Sequence, residues 1–218
     1  VAKDAISLKI FDASGQLVDE VKTTTKAGLH RVMWELRYKN AQAGTGRSRI
    51  NGPYVLPGLY TAKLQVNGET YAQKFTVSDD PRLDISLDVR KEWTASQMKV
   101  LSLYSEVSAD RSSLEKLDKQ LVQLEKDMVS YDKRAAAPLK EISRKYTELS
   151  NRLRTLYSEI GDYIGPWTND QKAQFDYYSA MKSKLKVERD QVINSTLPKI
   201  NQGLKKDTVS YTHLRAHE

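Results

Sequence analysis

Few residues in this chain have the types and spacing that catalysis or metal binding requires. The chain contains three histidines and no cysteine, which removes disulfides, thiolate chemistry and most zinc sites. His30 is expected on the apolar side of a strand, and the residues near it supply no nucleophile with a matching base. We therefore interpret His30 as a structural residue. We expect no catalytic residue, no metal ligand and no cofactor in this sequence.

The sequence Asp79-Asp80-Pro81 is a second place where chemistry could be sought, because neighbouring carboxylates can bind calcium. Calcium sites need several oxygen ligands at set spacing, and no such spacing follows Pro81. Aspartate before proline is typical of turns. We therefore interpret this sequence as the turn that ends the first part of the chain.

The two ends of the sequence resemble the ends of a fragment. The chain starts at Val1 with a predicted strand almost at once, and we expect a longer protein upstream. The last residues, VSYTHLRAHE, resemble the translated read-through of a sequencing adaptor, and an ordinary frayed terminus is the alternative. We predict a disordered tail over residues 207–218, so that His213 and His217 form no metal site.

The net charge of +7 raises the question of nucleic-acid binding. Residues 1–80 hold 11 Lys and Arg against 8 Asp and Glu, and residues 81–218 hold 24 against 20, so the positive charge is spread along the chain. Nucleic-acid-binding proteins usually concentrate basic residues on one face, with aromatic residues between them. We therefore expect no nucleic-acid partner. No stretch approaches the roughly 18 apolar residues of a membrane span, and we expect no transmembrane segment.

Alternation of apolar and polar residues predicts a small β-sandwich over residues 1–80. The alternation begins at Ile6–Ile10 and indicates a half-buried strand. A further strand is predicted over His30–Leu36. Asn67-Gly68 is a strong hairpin signal, because both central residues of a type I′ turn need positive φ. The predicted core of this sandwich contains Trp34, Tyr60, Leu64 and Phe75.

From about Ser86 the apolar residues follow a helical period. One seam of leucines runs through a first long helix, and a second seam runs from Leu139 to Tyr163. The sequence TNDQ at 168–171 has the form of a capping box for a third helix, which Pro198 is expected to break or kink. The fold class is therefore α+β, with an antiparallel three-helix bundle over residues 86–206. Its predicted core contains Leu121, Leu124, Leu149, Leu153, Leu156 and Leu185.

The order of these motifs resembles a known family. The range Ile6–Val77, with AGLHRVMW and PGLY at 57–60, resembles the Ig-like domain of flagellar hook-capping proteins. Together with the helices, residues 5–205 resemble the C-terminal region of bacterial secreted sortilin-like, BNR-repeat β-propeller proteins, which are sometimes labelled glycosyl hydrolases. The Trp-Asp-Gly often found in such Ig-like domains is here Trp34-Glu35-Leu36, so the resemblance is to the propeller-associated version.

This resemblance implies a secreted, periplasmic or cell-envelope protein in which a β-propeller precedes the present chain. Any hydrolase activity would then reside in the propeller, so the chain itself is expected not to be an enzyme. The implied function is a non-catalytic accessory module that contacts the upstream propeller of the same chain or another protein. The alternative is a carbohydrate-binding module, for which the candidate aromatic residues are Tyr38, Tyr54 and Trp167.

The segment from Tyr38 to Leu56 is the candidate docking loop. Connections in compact domains usually have about 4 to 6 residues, and much longer loops are typically functional or disordered. Gly52 and the other glycines predict flexibility. One hypothesis is a mobile loop with no partner. The sharper one is a loop that packs against the propeller, with Arg47 and Arg49 pairing acidic groups and Tyr54 filling a groove.

Overall fold

A computed structural model describes residues 6–41, 50–127 and 137–206 of the chain. Over these residues the chain forms a four-stranded antiparallel sheet and three α-helices, which confirms the predicted α+β class. The strands are β1 (Ser7–Phe11), β2 (Leu17–Val21), β3 (Gly58–Val66) and β4 (Glu69–Val77). The helices are α1 (Leu87–Asp127), α2 (Ala137–Gly161) and α3 (Asn169–Lys206).

The described residues divide into two compact units. The sheet unit contains residues 6–41, 50–99 and 160–167, and the helical unit contains residues 100–127, 137–159 and 168–206. The first turns of α1 therefore belong to the sheet unit. There the indole Nε1 of Trp93 donates a hydrogen bond to the carbonyl of Ile160 at 2.7 Å. The boundary predicted between residues 80 and 86 stays a prediction.

The sheet has the strand order β2-β1-β3-β4, and its β3–β4 hairpin has the turn that the sequence predicts. Asn67 and Gly68 both have positive φ, 51° and 83°, as a type I′ turn between β3 and β4 requires. In the turn from β1 to β2, Gly15 has a φ of 82° and the Asp12 carboxylate accepts the backbone N–H of Ser14 at 2.9 Å. Local turn chemistry thus determines how both hairpins pair.

One face of the sheet carries a small apolar cluster. Its buried members are Ile10, Val18, Val55 and Tyr60. The half-buried rings of Trp34 and Phe75 pack on it, and the Trp34 centroid lies 5.7 Å from that of Tyr60 and 5.9 Å from that of Phe75. Leu64, predicted as a core residue, is only half-buried. The sheet core therefore combines a few buried aliphatic residues with aromatic rings, of which Trp34 and Phe75 stay partly exposed.

The strand predicted over His30–Leu36 is wrong, since the backbone there is irregular. Two residues with positive φ bound this segment, Gly28 at 123° and Leu36 at 56°. A left-handed residue cannot continue an extended strand, so the chain bends at both ends of the segment. Trp34 packs inward, whereas His30 and its apolar neighbours are exposed.

Helix α3 begins at the cap that the sequence predicts. The Thr168 hydroxyl accepts the backbone N–H of Gln171 at 3.2 Å, and the Gln171 side chain accepts the N–H of Thr168 at 2.9 Å. This reciprocal pair confirms the capping box of α3. Pro198 does not break the helix, because α3 continues to Lys206, and the kink expected there as the alternative stays a prediction. Burial of Leu197 and Ile200, on either side of the exposed proline, offsets the lost hydrogen bond.

In the helical unit, the apolar residues that form the seams of the helices are buried. Leu149, Leu153 and Leu156 on α2 are almost fully buried, and so is Leu185 on α3. Leu124 lies outside the residues whose side chains the structure describes. One apolar cluster combines residues of all three helices, Leu117, Leu121, Leu139, Leu197 and Ile200.

Ion pairs accompany the apolar cluster of the helical unit. Lys145 on α2 pairs with Glu188 on α3 at 2.5 Å. Arg189 on α3 pairs with Asp110 on α1, and both side chains are largely buried. None of the helices in the described part of the chain is long and apolar enough to cross a membrane.

Candidate functional site

The two ends of the predicted docking loop pair with each other. We call the paired residues, 36–41 and 50–55, the stem. Residues 42–49, which include Arg47 and Arg49, lie outside the described residues. The stem is closed by backbone hydrogen bonds of 2.9 to 3.1 Å from Tyr38 N to Pro53 O, from Val55 N to Leu36 O and from Ala41 N to Ile50 O. The ends of the loop are therefore held in a defined conformation.

Gly52 allows the two sides of the stem to approach each other. A Cβ atom at this position would lie 2.0 Å from the carbonyl oxygen of Tyr38, which is far inside van der Waals contact. Its N–H donates to Asn40 Oδ1, and its carbonyl accepts from Arg37 Nη1, both at 2.9 Å. From the sequence, Gly52 is expected to be a source of flexibility. The structure shows instead a buried glycine that the close contact requires.

Tyr54 lies on the exposed side of the stem. It forms an isolated antiparallel bridge with Arg37, whose guanidinium carbon lies 3.7 Å from the centre of the Tyr54 ring. This distance is within the range of a cation–π interaction. The Tyr54 ring remains 45% exposed. The stem thus presents a positive charge and an aromatic ring in a fixed arrangement.

Residues 27–36, which we call the apolar segment, lead directly into the stem. Leu29 is fully exposed, Met33 is 77% exposed, and Val32 and Leu36 are also exposed. Trp34 anchors the segment, because its ring packs against the sheet and its Nε1 donates to the carbonyl of Arg37 at 3.2 Å. Trp34 therefore attaches the apolar segment to the sheet, while the other large apolar side chains of the segment are exposed to water.

Leu36 joins the apolar segment to the stem in an unfavourable backbone conformation. Its φ of 56° is uncommon for a residue with a branched side chain. Its carbonyl accepts the N–H of Val55, so the stem holds this conformation in place. Residues held in sparsely populated backbone regions often occur at functional sites.

The residues that first suggested chemistry have structural contacts. His30 is exposed, and its Nε2 lies 2.7 Å from the carbonyl of Lys26, so this nitrogen carries a proton and donates it. The carboxylate of Asp80 pairs with Arg82 at 2.5 Å, which lowers the pKa of Asp80 below its usual value. Asp79 pairs with Arg90 at 3.0 Å. The arginines thus contact the two carboxylates on which a calcium site would depend.

The aromatic candidates for carbohydrate binding have different surroundings. Tyr38 packs against the sheet core, and burial raises the pKa of its hydroxyl. Lys99 Nζ lies 5.7 Å from the centre of the Trp167 ring. Tyr54 is exposed, but Arg37 covers one face of its ring.

Sequence reasoning missed both Arg37 and the apolar segment. A signal for the segment was present, because Leu29, Val32, Met33 and Leu36 are separated by 3, 1 and 3 residues. Strict alternation along a strand does not produce this spacing. The contact of Arg37 with Tyr54 joins residues far apart in the chain, so no local pattern could have indicated it.

Comparison with protein-family models, with curated proteins and with solved structures finds no match to this chain. The resemblance to the region that follows bacterial β-propellers therefore stays a prediction.

Proposed function

We propose that this chain is a non-catalytic module that binds a protein surface through the apolar segment. The observation that supports this function best is the exposure of four large apolar side chains within residues 29–36. Single exposed apolar residues are normal on protein surfaces, but their concentration in one segment is typical of interaction sites. Burial of these side chains in a complex would supply the main favourable term of binding.

The arrangement around the segment also suits a binding surface. Trp34 anchors one end of the segment, which reduces the conformational freedom that is lost on association. The Arg37–Tyr54 pair follows directly in the stem. Arginine, tyrosine and methionine are enriched where proteins bind each other, and arginine and tyrosine are prominent among the residues that carry binding energy.

The family resemblance supplies the proposed partner and architecture. The partner is an upstream β-propeller of the same secreted, periplasmic or cell-envelope protein. The sheet then belongs to an Ig-like β-sandwich, and the helices form an antiparallel three-helix bundle. In this arrangement Arg47 and Arg49 pair acidic groups of the propeller, while the apolar segment and Tyr54 supply the apolar contact.

Hydrogen exchange tests this function once the upstream reading frame has been recovered. Backbone amides of residues 27–36 and 50–55 should exchange more slowly in the longer protein than in the present chain. The double variant Leu29→Ser/Met33→Ser should remove this added protection, whereas Leu83→Ser, at another exposed leucine, should leave it unchanged. Equal exchange in both proteins would contradict the proposal.

Glycan binding by the present chain would favour the alternative function. A carbohydrate-binding module should bind an immobilised polysaccharide, and Tyr54→Ala should abolish that binding. The interaction module should show no such binding and should still depend on Leu29 and Met33 for its contact with the propeller.

A further inference from the structure

Among the residues that the structure describes, no strand pairs with the outer edge of β4, which is long and regular. Its nine residues pair with β3 without a bulge, from Gly58 opposite Val77 to Val66 opposite Glu69. The opposite edge, β2, has five residues and an irregular register. A backbone hydrogen bond from Lys39 to Val18 covers part of that edge. Proteins usually shorten, distort or cover their edge strands, because an open edge is a template for another strand.

The turn determines which backbone groups of β4 are open. A two-residue turn makes Val66 and Glu69 a hydrogen-bonded pair, and such pairs alternate along an antiparallel ladder. The open groups therefore belong to the even-numbered residues, whose side chains are all exposed. The side chain of Gln73 donates to the carbonyl of Lys74 at 3.1 Å, as expected for a carbonyl at this edge. The residues with open groups are Thr70, Ala72, Lys74 and Thr76; the Lys74 carbonyl accepts from Gln73 and keeps its second lone pair for a partner strand.

We propose that β4 pairs antiparallel with β4 of a second copy of this chain, with Gln73 on the twofold axis. In this register every open residue lies opposite an open residue of the second copy, so the ladder extends over the whole strand. Thr70 lies opposite Thr76, and Ala72 lies opposite Lys74. Tyr71, which is 57% exposed, lies opposite Phe75, whose ring is half-buried.

The side chains favour this register over its neighbours. Aromatic pairs and threonine pairs stabilise antiparallel strands, and the proposed register contains both kinds on each side of the axis. An axis at Lys74 would place two lysines directly opposite each other, which is unfavourable. An axis at Ala72 would leave Thr76 and Val77 unpaired. The self-pairing therefore has one preferred register along the strand.

The pairing is expected to be weak. A single strand pair buries less surface than the 1,200 to 2,000 Å² typical of stable complexes, so we expect a dissociation constant on the order of micromolar or weaker. This contact uses β4 and not the apolar segment. It is therefore independent of the proposed function.

Cysteine cross-linking tests the register, since the native chain contains no cysteine. In Gln73→Cys the two cysteines would form a pair that is not hydrogen-bonded, with Cα atoms about 4.5 Å apart, close enough for a disulfide. Mild oxidation should yield a covalent dimer. Thr76→Cys is the matched control, because residue 76 lies opposite residue 70 and should cross-link at least ten times less. Equal cross-linking of both variants would overturn the register.

Sedimentation equilibrium of the cysteine-free chain tests the pairing itself. The apparent mass should rise from monomer towards dimer with concentration. Ala72→Pro should weaken the association at least tenfold, because it removes one open N–H, and proline is tolerated at an edge strand. Ala72→Ser keeps the N–H and should associate like the native chain. A monomer at every concentration, or equal association of the proline variant with unchanged circular dichroism, would overturn the proposal.

Discussion

The helical unit and the sheet unit differ in how completely they bury their apolar residues. In the helical unit, Tyr146, Leu149 and Leu153 are fully buried on α2. In the sheet unit, the aromatic core residues Trp34 and Phe75 are only half-buried. Helical seams meet apolar residues of other helices, whereas the irregular segment next to the sheet contributes only Trp34 to the apolar cluster of the sheet. The same loss of side-chain atoms should therefore destabilise the helical unit more.

The largest effect is expected for Leu153→Ala in the helical unit. Deletion of a fully buried leucine side chain leaves a cavity and should lower the free energy of unfolding by about 2–5 kcal/mol. Val187→Ala, at an exposed position of α3, should change it by less than about 0.5 kcal/mol. Urea unfolding followed by the helical circular dichroism signal measures both values. If Leu153→Ala lowered the free energy of unfolding by less than Val187→Ala does, the seam of α2 would not be part of the core.

A smaller effect is expected for Trp34→Ala in the sheet unit. Replacement of a fully buried tryptophan by alanine lowers the free energy of unfolding by about 3–5 kcal/mol. Because Trp34 is half-buried, its replacement should lower this free energy by about 1.5–3 kcal/mol. Amide exchange of β3 measures this change without relying on fluorescence. His30→Ala, in the same segment but exposed, should alter exchange of β3 very little. If the two variants behaved alike, Trp34 would not anchor the apolar segment.

A local effect is expected for Gly52→Ala. The added methyl group would meet the backbone of Tyr38, so the stem must open, at a cost of about 1–3 kcal/mol. Amides of residues 36–41 should then exchange faster. Gly165→Ala is the control, because its Cβ would meet the exposed side chain of Tyr163, which can move aside. Equal effects of the two substitutions would show that the stem tolerates a wider separation.

The features that the sequence could predict are those that depend on neighbouring residues. The helical seams and the capping box depend on spacing over a few residues, and so does the turn at Asn67-Gly68. The segment His30–Leu36 depends on distant contacts, because its ends are set by a left-handed leucine and by pairing with the stem. Gly52 is similar, since its role follows from the approach of Tyr38 and not from its neighbours in sequence.

The smallest expected effect tests whether strain at Leu36 is part of the sheet unit. Replacement of Leu36 by glycine relieves a positive φ that costs about 1–2 kcal/mol for a branched residue, and it adds about 0.5–1 kcal/mol of unfolded-chain entropy. The variant should be neutral or more stable by up to about 1.5 kcal/mol. Met33→Gly is the matched control, because Met33 is exposed in the same segment without a positive φ, and it should lose about 0.5–1 kcal/mol. Guanidinium unfolding followed by tryptophan fluorescence measures both, since Trp34, Trp93 and Trp167 all belong to the sheet unit. If Leu36→Gly proved less stable than Met33→Gly, the Leu36 side chain would contribute more by packing than its backbone costs in strain. Leu36 would then no longer belong to the exposed apolar side chains that the proposed binding surface uses.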